Sequence, residues 1–264
     1  METYRPTAYN HSQSSENGIH SDCEAQKYGF EGGLVTGAAI FGYMTYPLIC
    51  LLGARGVERN SAEIRLLKPV YNGDVLSIDH TERNGLHFIQ CRGRNNLVVA
   101  EMYSSKGIPP VNELSRLSGN TPINVRPPIQ WDLIEVGTPF ASFRWRPDIE
   151  EHLTYTTQIE DNLEIYLRDV LHPHAILDTA NRALANRYKL SEWLHVGSTI
   201  HFRELIRIDE EIEVHAIPKK KWNKKGHEFV DLFVSYLVGD VVKTEIKHTA
   251  IFKVAEQGAS GHFR

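Results

Sequence analysis

The strongest constraint on the fold is internal repetition. Residues 61–78, SAEIRLLKPVYNGDVLSI, lie over residues 198–215, STIHFRELIRIDEEIEVH, without a gap. Each copy reads as a strand, a turn at 72–74 or 209–211, and a second strand. A β-hairpin is expected after each: one over 88–106 turning at Arg94-Asn95-Asn96, one over 229–254 turning at Gly239-Asp240. In the second hairpin Val230, Leu232, Val234 and Tyr236 alternate onto one face. Each sheet is therefore expected to be antiparallel with one face buried.

A helix precedes each sheet. Residues 38–52, AAIFGYMTYPLICLL, are almost wholly apolar, and Pro47 suggests a kink or an early end. Residues 175–188, AILDTANRALANRY, are amphipathic, with Ile176, Leu177, Ala180, Leu184 and Tyr188 as the stripe. The offset that aligns the strands places Gly37 on His174. It also lays 9–20 over 155–166 more loosely, with His20 opposite Tyr166. The organisation expected is an N-terminal unit over 1–106, a Pro- and Gly-rich linker over 107–139, a C-terminal unit over 140–255 and a tail over 256–264.

Composition narrows the function. The formal net charge of −4 gives no basic footprint for nucleic acid or an anionic membrane. The N-terminus lacks an apolar signal core, and the longest apolar stretch is too short to span a bilayer. Cys23, Cys50 and Cys91 show no metal-ligand spacing, and no cofactor is indicated. A cytoplasmic location is expected. No thiol stands out as a nucleophile, although Cys23 lies close enough to His20 to be kept as a candidate.

The opening stretch carries the chemistry. Asn17, Gly18, Ile19 and His20 are followed by Asp22, Ala25, Gly29-Phe30 and Thr36-Gly37 at the start of the first helix. This resembles the MaoC-like (R)-specific enoyl-CoA hydratases and dehydratases. Their pattern is Asp-x-Asn-Pro-x-His, then an acidic residue, Ala, Gly-Phe and a His-Gly pair opening a helix. The resemblance implies an α+β double hotdog: two tandem antiparallel sheets, each wrapped around a central helix. It implies an acyl-CoA or acyl-carrier-protein thioester as substrate, no nucleic acid or membrane partner, and leaves a homodimer open.

Departures from that pattern sit at its centre. The aspartate five residues before the histidine is Ser15, the proline is Gly18, and the histidine of the His-Gly pair is Thr36. In the second copy Asp161 falls opposite Ser15, while Tyr166 replaces the histidine. What the resemblance carries over is His20 with Ser15 and Asp22 at the catalytic positions, and Asn17, Thr36 and Gly37 against the substrate. Glu16 and His11 are alternatives for the missing carboxylate.

Elementary chemistry says why such parts serve a thioester. Hydration or dehydration moves a proton at the carbon beside the carbonyl and builds charge on the thioester oxygen. A backbone N–H at a helix start can stabilise that charge, and Gly37 admits close approach. His20 can activate water or deliver a proton. Structural readings stand beside these: Asp22 as a helix N-cap, Gly32-Gly33 as a turn, Gly37 as tight packing, His20 as an ordinary histidine. In the second copy His172 and His174 flank Pro173 before a helix, to line a pocket mouth or to bond the open amides, and Asn181 lies one turn in. The run KKKWNKK at 219–225 reads as a solvated hairpin loop or a phosphate contact. A hydratase or dehydratase is the leading expectation. An acyl-CoA thioesterase and a non-catalytic acyl-binding or partner protein are the alternatives.

Overall fold

The computed structural model describes residues 3–119 and 125–255. The tail expected at 256–264 and five residues of the linker lie outside the described residues.

The first half contains a short helix α1 (Asp22–Lys27), the long helix α2 (Gly37–Leu52) and strands β1 (Asn60–Leu66), β2 (Ser77–Arg83), β3 (Leu86–Arg92) and β4 (Val98–Lys106). The second contains β5 (Phe143–Trp145), helices α3 (Ile149–Gln158) and α4 (Pro173–Ala185), and strands β6 (Leu194–Phe202), β7 (Ile212–Lys224), β8 (His227–Val238) and β9 (Val241–Lys253). Both repeated segments fold as strand, turn and strand. The hairpins turn where the sequence places them: Asn95 and Asn96 adopt φ of 54° and 59°, and Gly239 a φ of 55°. Asparagine and glycine tolerate that left-handed region best.

The two expected sheets are halves of one nine-stranded sheet, ordered β2-β3-β4-β1-β6-β9-β8-β7-β5. They join through β1 and β6, which run antiparallel with Ala62 opposite Ile200 and Glu63 opposite Thr199. The repeat makes residue 62 the equivalent of 199 and residue 63 the equivalent of 200. The two central pairs therefore exchange under the repeat, which centres the seam on a local two-fold relation. Pairing also satisfies the backbone groups that two separate sheets would leave open at their edges. The outer edge at β2 is covered by the N-terminal segment, where Ile78 N–H donates to Tyr4 O at 2.8 Å and Leu76 N–H to Pro6 O at 2.9 Å.

The sheet wraps α2 and α4. Phe41 and Met44 on α2 are fully buried, as are Val230, Leu232, Val234 and Tyr236 on the inner face of β8. With the following turn, α2 makes twenty residues of membrane-like composition, yet most of it is buried inside the protein. Pro47 neither ends nor divides α2, which runs on to Leu52. Burial of most of the helix outweighs one lost backbone bond. Two further expectations change. Residues 155–158 belong to α3, where the equivalent positions 9–12 are loop. Lysines 219–221 and Lys224 lie within β7, so the loop there shrinks to Lys225-Gly226.

Candidate functional site

The segment between the N-terminal strap and α2 is held by short side-chain bonds to backbone. Asn10 Nδ2 donates to His20 O at 2.8 Å. Asn17 caps the turn Gly18–His20 and clamps it to the second half: its Nδ2 donates to Trp193 O at 3.0 Å, and Trp193 N–H donates to its Oδ1 at 3.2 Å. His20 Nδ1 lies 2.7 Å from Leu34 O. A carbonyl only accepts, so Nδ1 carries the hydrogen and Nε2 keeps its lone pair, facing Asn17 Nδ2 at 3.3 Å. Burial pushes the His20 pKa below 6.5 against the opposing Leu34 bond and the Asp178 charge. At neutral pH the ring is therefore uncharged, with a basic nitrogen on a fixed tautomer.

The other residues proposed around His20 are engaged elsewhere. Ser15 Oγ donates to Asn17 O at 3.4 Å on an exposed turn. Glu16 pairs with Arg126 at 2.9 Å. His11 Nε2 lies 3.1 Å from Gln158 O. The helix cap expected at Asp22 is Ser21, which accepts from Glu24 N–H. Asp22 Oδ1 instead accepts the Gly33 N–H at 2.7 Å and so ties α1 to the approach to α2. A Cβ on Gly33 would collide with the His20 carbonyl oxygen, so this glycine lets the two segments touch. Cys23 is exposed. Among the described residues no group of three His, Cys, Asp or Glu side chains is arranged to hold a metal ion.

The starts of the two central helices differ. In α2, Thr36 Oγ1 accepts from Ala39 N–H at 3.2 Å and Thr36 O from Ile40 N–H at 3.1 Å. No acceptor among the described residues takes the Gly37 or Ala38 N–H, as expected of the open first turn of a helix. In α4 the first turn is closed. Pro173 has no N–H, His172 Nδ1 accepts from His174 N–H at 3.0 Å, and Ala175 N–H donates to His172 O at 3.0 Å. His172 is itself fully buried, with Nε2 3.1 Å from Asp161 Oδ2 and its ring against Tyr166. It caps a helix inside the core rather than lining a pocket mouth.

A cleft of about 260 Å³ opens where the two halves meet. Thr36 and Ala39 border it from the open start of α2, and His174, Asp178 and Arg182 from α4. Asp178 Oδ2 accepts from Tyr155 OH at 2.7 Å, and Arg182 reaches both that hydroxyl and Glu151. The Asp178 charge acts on His20 and on His195, raising the pKa of both against their burial. Residues 174, 178 and 182 stand four apart, one polar line along an amphipathic helix. That spacing was the available sequence signal for Asp178, which the motif in the first half did not supply. Asn181 Nδ2 bonds Asp178 Oδ1 at 3.3 Å. Phe41 and Met44 lie in the core and do not line this cleft.

The glycine at the start of α2 answers to a third group. A Cβ on Gly37 would lie 2.6 Å from His195 Nδ1 and would also collide with Leu66 Cδ1. His195 stacks on His248 with ring centroids 4.4 Å apart, and Ser198 Oγ bridges them at 2.9 and 3.1 Å. Tight packing therefore explains the face of Gly37 that meets His195.

No family model and no curated protein matches the sequence. Solved structures do. One assigned as a MaoC domain dehydratase from Chloroflexus aurantiacus superposes with a TM-score of 0.65 at 12% identity, over 95% of this chain and 93% of that one. A Mycobacterium tuberculosis protein described as having a double hotdog fold gives 0.58 at 13% identity, over 95% of both chains. The chain has the double hotdog fold. A protein assigned as an oleoyl thioesterase from Lactobacillus plantarum also aligns, at 0.52 and 10% identity, over 97% of this chain and 96% of that one. In this double hotdog the open helix start and His20 come from the first unit, and Asp178 comes from the second.

Proposed function

We propose that the chain acts on an acyl thioester in the cleft between its halves, as an enoyl-thioester hydratase or 3-hydroxyacyl-thioester dehydratase. The observation that carries this reading is the asymmetry of the helix starts. Of the two central helices, among the described residues, α2 alone offers unpaired N–H groups, at Gly37 and Ala38, and Thr36 and Ala39 on either side of them border the cleft; His20, which does not line it, is tied to the same approach through Leu34 O.

In the hydration direction the thioester oxygen takes those N–H groups, which hold negative charge as it develops. His20 Nε2 removes a proton from water while the water oxygen bonds to the β-carbon. The electron pair of the double bond moves toward the thioester oxygen, giving an enolate. Return of the proton to the α-carbon completes the addition. Asn17 orients the ring, and Leu34 O fixes its tautomer.

A second reading rests on Asp178, a carboxylate in the cleft on the helix opposite the open start of α2. There it would draw a proton from water attacking the thioester carbonyl carbon, with the thiolate leaving: a thioesterase. Incubation with crotonyl-CoA, 3-hydroxybutyryl-CoA and butyryl-CoA, read by mass and by released thiol, separates the two. Water gained or lost, falling about 10²–10⁴-fold in His20→Ala, is the expected result. Thiol release abolished in Asp178→Asn would favour the thioesterase. Thioester binding without turnover would leave a non-catalytic acyl-binding protein.

A further inference from the structure

At the far end of α2 a larger cleft, of about 880 Å³, has no part in this chemistry. The helix has sixteen residues, which at a rise of about 1.5 Å each puts its ends ~24 Å apart. The cleft gathers the turn after α2, the end of β4, the beginning of the segment that links the halves, and the β8–β9 turn.

Its charge runs against that of the chain. Arg55, Arg59, Lys106, Arg116 and Arg203 face Glu58, Glu204 and Asp240 there, in a protein of net charge −4. Arg203 is already spent: it is buried against Glu245 and donates to Pro109 O and Pro110 O at 2.9 and 3.0 Å. Glu204 is held by Lys243 at 3.0 Å. Four cations then stand against Glu58 and Asp240, and none of the four forms an ion pair with another described residue. Arg55, Arg59, Lys106 and Arg116 are all exposed, so their charges are available to a ligand.

One wall is hydrocarbon. Ile108, Val111, Val241 and Val242 line it, and Val111 and Val241 are 48% and 43% exposed. Arg59 also holds a left-handed backbone, φ 52°, an uncommon conformation for a residue with a long side chain. Arginine forks match the geometry of carboxylate and phosphate oxygens, and the volume falls within the range of small-molecule pockets.

We infer that this cleft binds an amphiphilic organic anion, its carboxylate or phosphate head held by Arg55, Arg59 and Arg116 and its apolar body laid on Ile108, Val111 and Val241. A concave site with an apolar wall selects such a molecule over a bare ion, whose head alone would leave the wall wet. It selects it also over a neutral lipid, which would leave the arginines unanswered.

Calorimetric titration of the full chain with decanoate and with decyl phosphate tests this, with acetate, inorganic phosphate and decanol as head-only and tail-only probes. One of the two amphiphiles should bind at one site per chain, at least about tenfold tighter than any single-part probe. Whichever binds names the head group. The double variant Arg59→Ala/Arg116→Ala should weaken that binding about tenfold or more and leave thioester turnover unchanged. If that variant unfolds, Val241→Asp on the exposed wall should weaken the same titration. Absence of binding by both amphiphiles would overturn the inference. So would binding that both variants leave intact, the result expected of decanoate lodged at the start of α2.

Discussion

Gly37 and His195 divide a single space: the place a Cβ would occupy on the glycine is 2.6 Å from the imidazole Nδ1. The ring is held by its stack on His248 and its bond to Ser198, so it cannot swing away freely. Gly37→Ala should therefore destabilise the protein by about 1–3 kcal/mol, the usual cost of overpacking. A urea unfolding midpoint checks it. An unchanged midpoint would mean that the Leu66 and His195 side chains yield without cost.

Asp22 is expected to be structural. Asp22→Ala removes the carboxylate that accepts the Gly33 N–H; because Asp22 is exposed, the cost should be about 0.5–1.5 kcal/mol, the range for an ordinary hydrogen bond. Asp22→Asn keeps an acceptor oxygen and should retain most of both stability and turnover. A large fall in turnover in the asparagine variant at undiminished stability would make the carboxylate catalytic after all.

Ser15→Asp supplies the carboxylate that the sequence motif lacks. Ser15 is exposed and bonds Asn17 O rather than His20. Surface changes of this kind usually alter stability by no more than about 0.5 kcal/mol, and a side chain that does not touch His20 should leave turnover essentially unchanged. A tenfold rise under the same thioester assay would show that the loop can carry an aspartate to His20.

Acid should unfold the protein through its buried histidines. Burial lowers His174 and His195 from 6.5 to about 4, and lowers His248 as well. Their unfolded forms take up protons first as the pH falls. The stability they contribute is therefore complete above about 6.5 and is lost between there and about 4. Thermal midpoints measured across that window should fall steadily. Replacing His248 by Gln should flatten the slope.

Much of this fold is legible in the sequence. Period-two alternation on Val230 to Tyr236, turn residues at Asn95 and Gly239, and one gapless repeat were enough for the strands, because burial of one sheet face forces those patterns. The partnership of the two halves was less readable. Asp178 reaches the start of α2 only because the halves share a sheet, and no local spacing in the first half encodes a residue in the second. Asp22 misled for a related reason: serine or aspartate can each cap a helix, and the choice of Ser21 followed from the pull of the Gly33 N–H on the carboxylate. His172 looked functional because it precedes a helix; the cap it forms uses the same geometry for a purely internal purpose.

The β1–β6 seam has one more consequence. A single unit, cut free, would bare the very strand that the other now covers, and that strand is matched in register to its own repeat-equivalent. Such a unit would find its complement in a second copy of itself. Joining the copies in one chain makes the encounter intramolecular and independent of concentration. It also releases each copy from the obligation to be identical, and that freedom is visible here: one helix start has been sealed with proline and histidine while the other stays open.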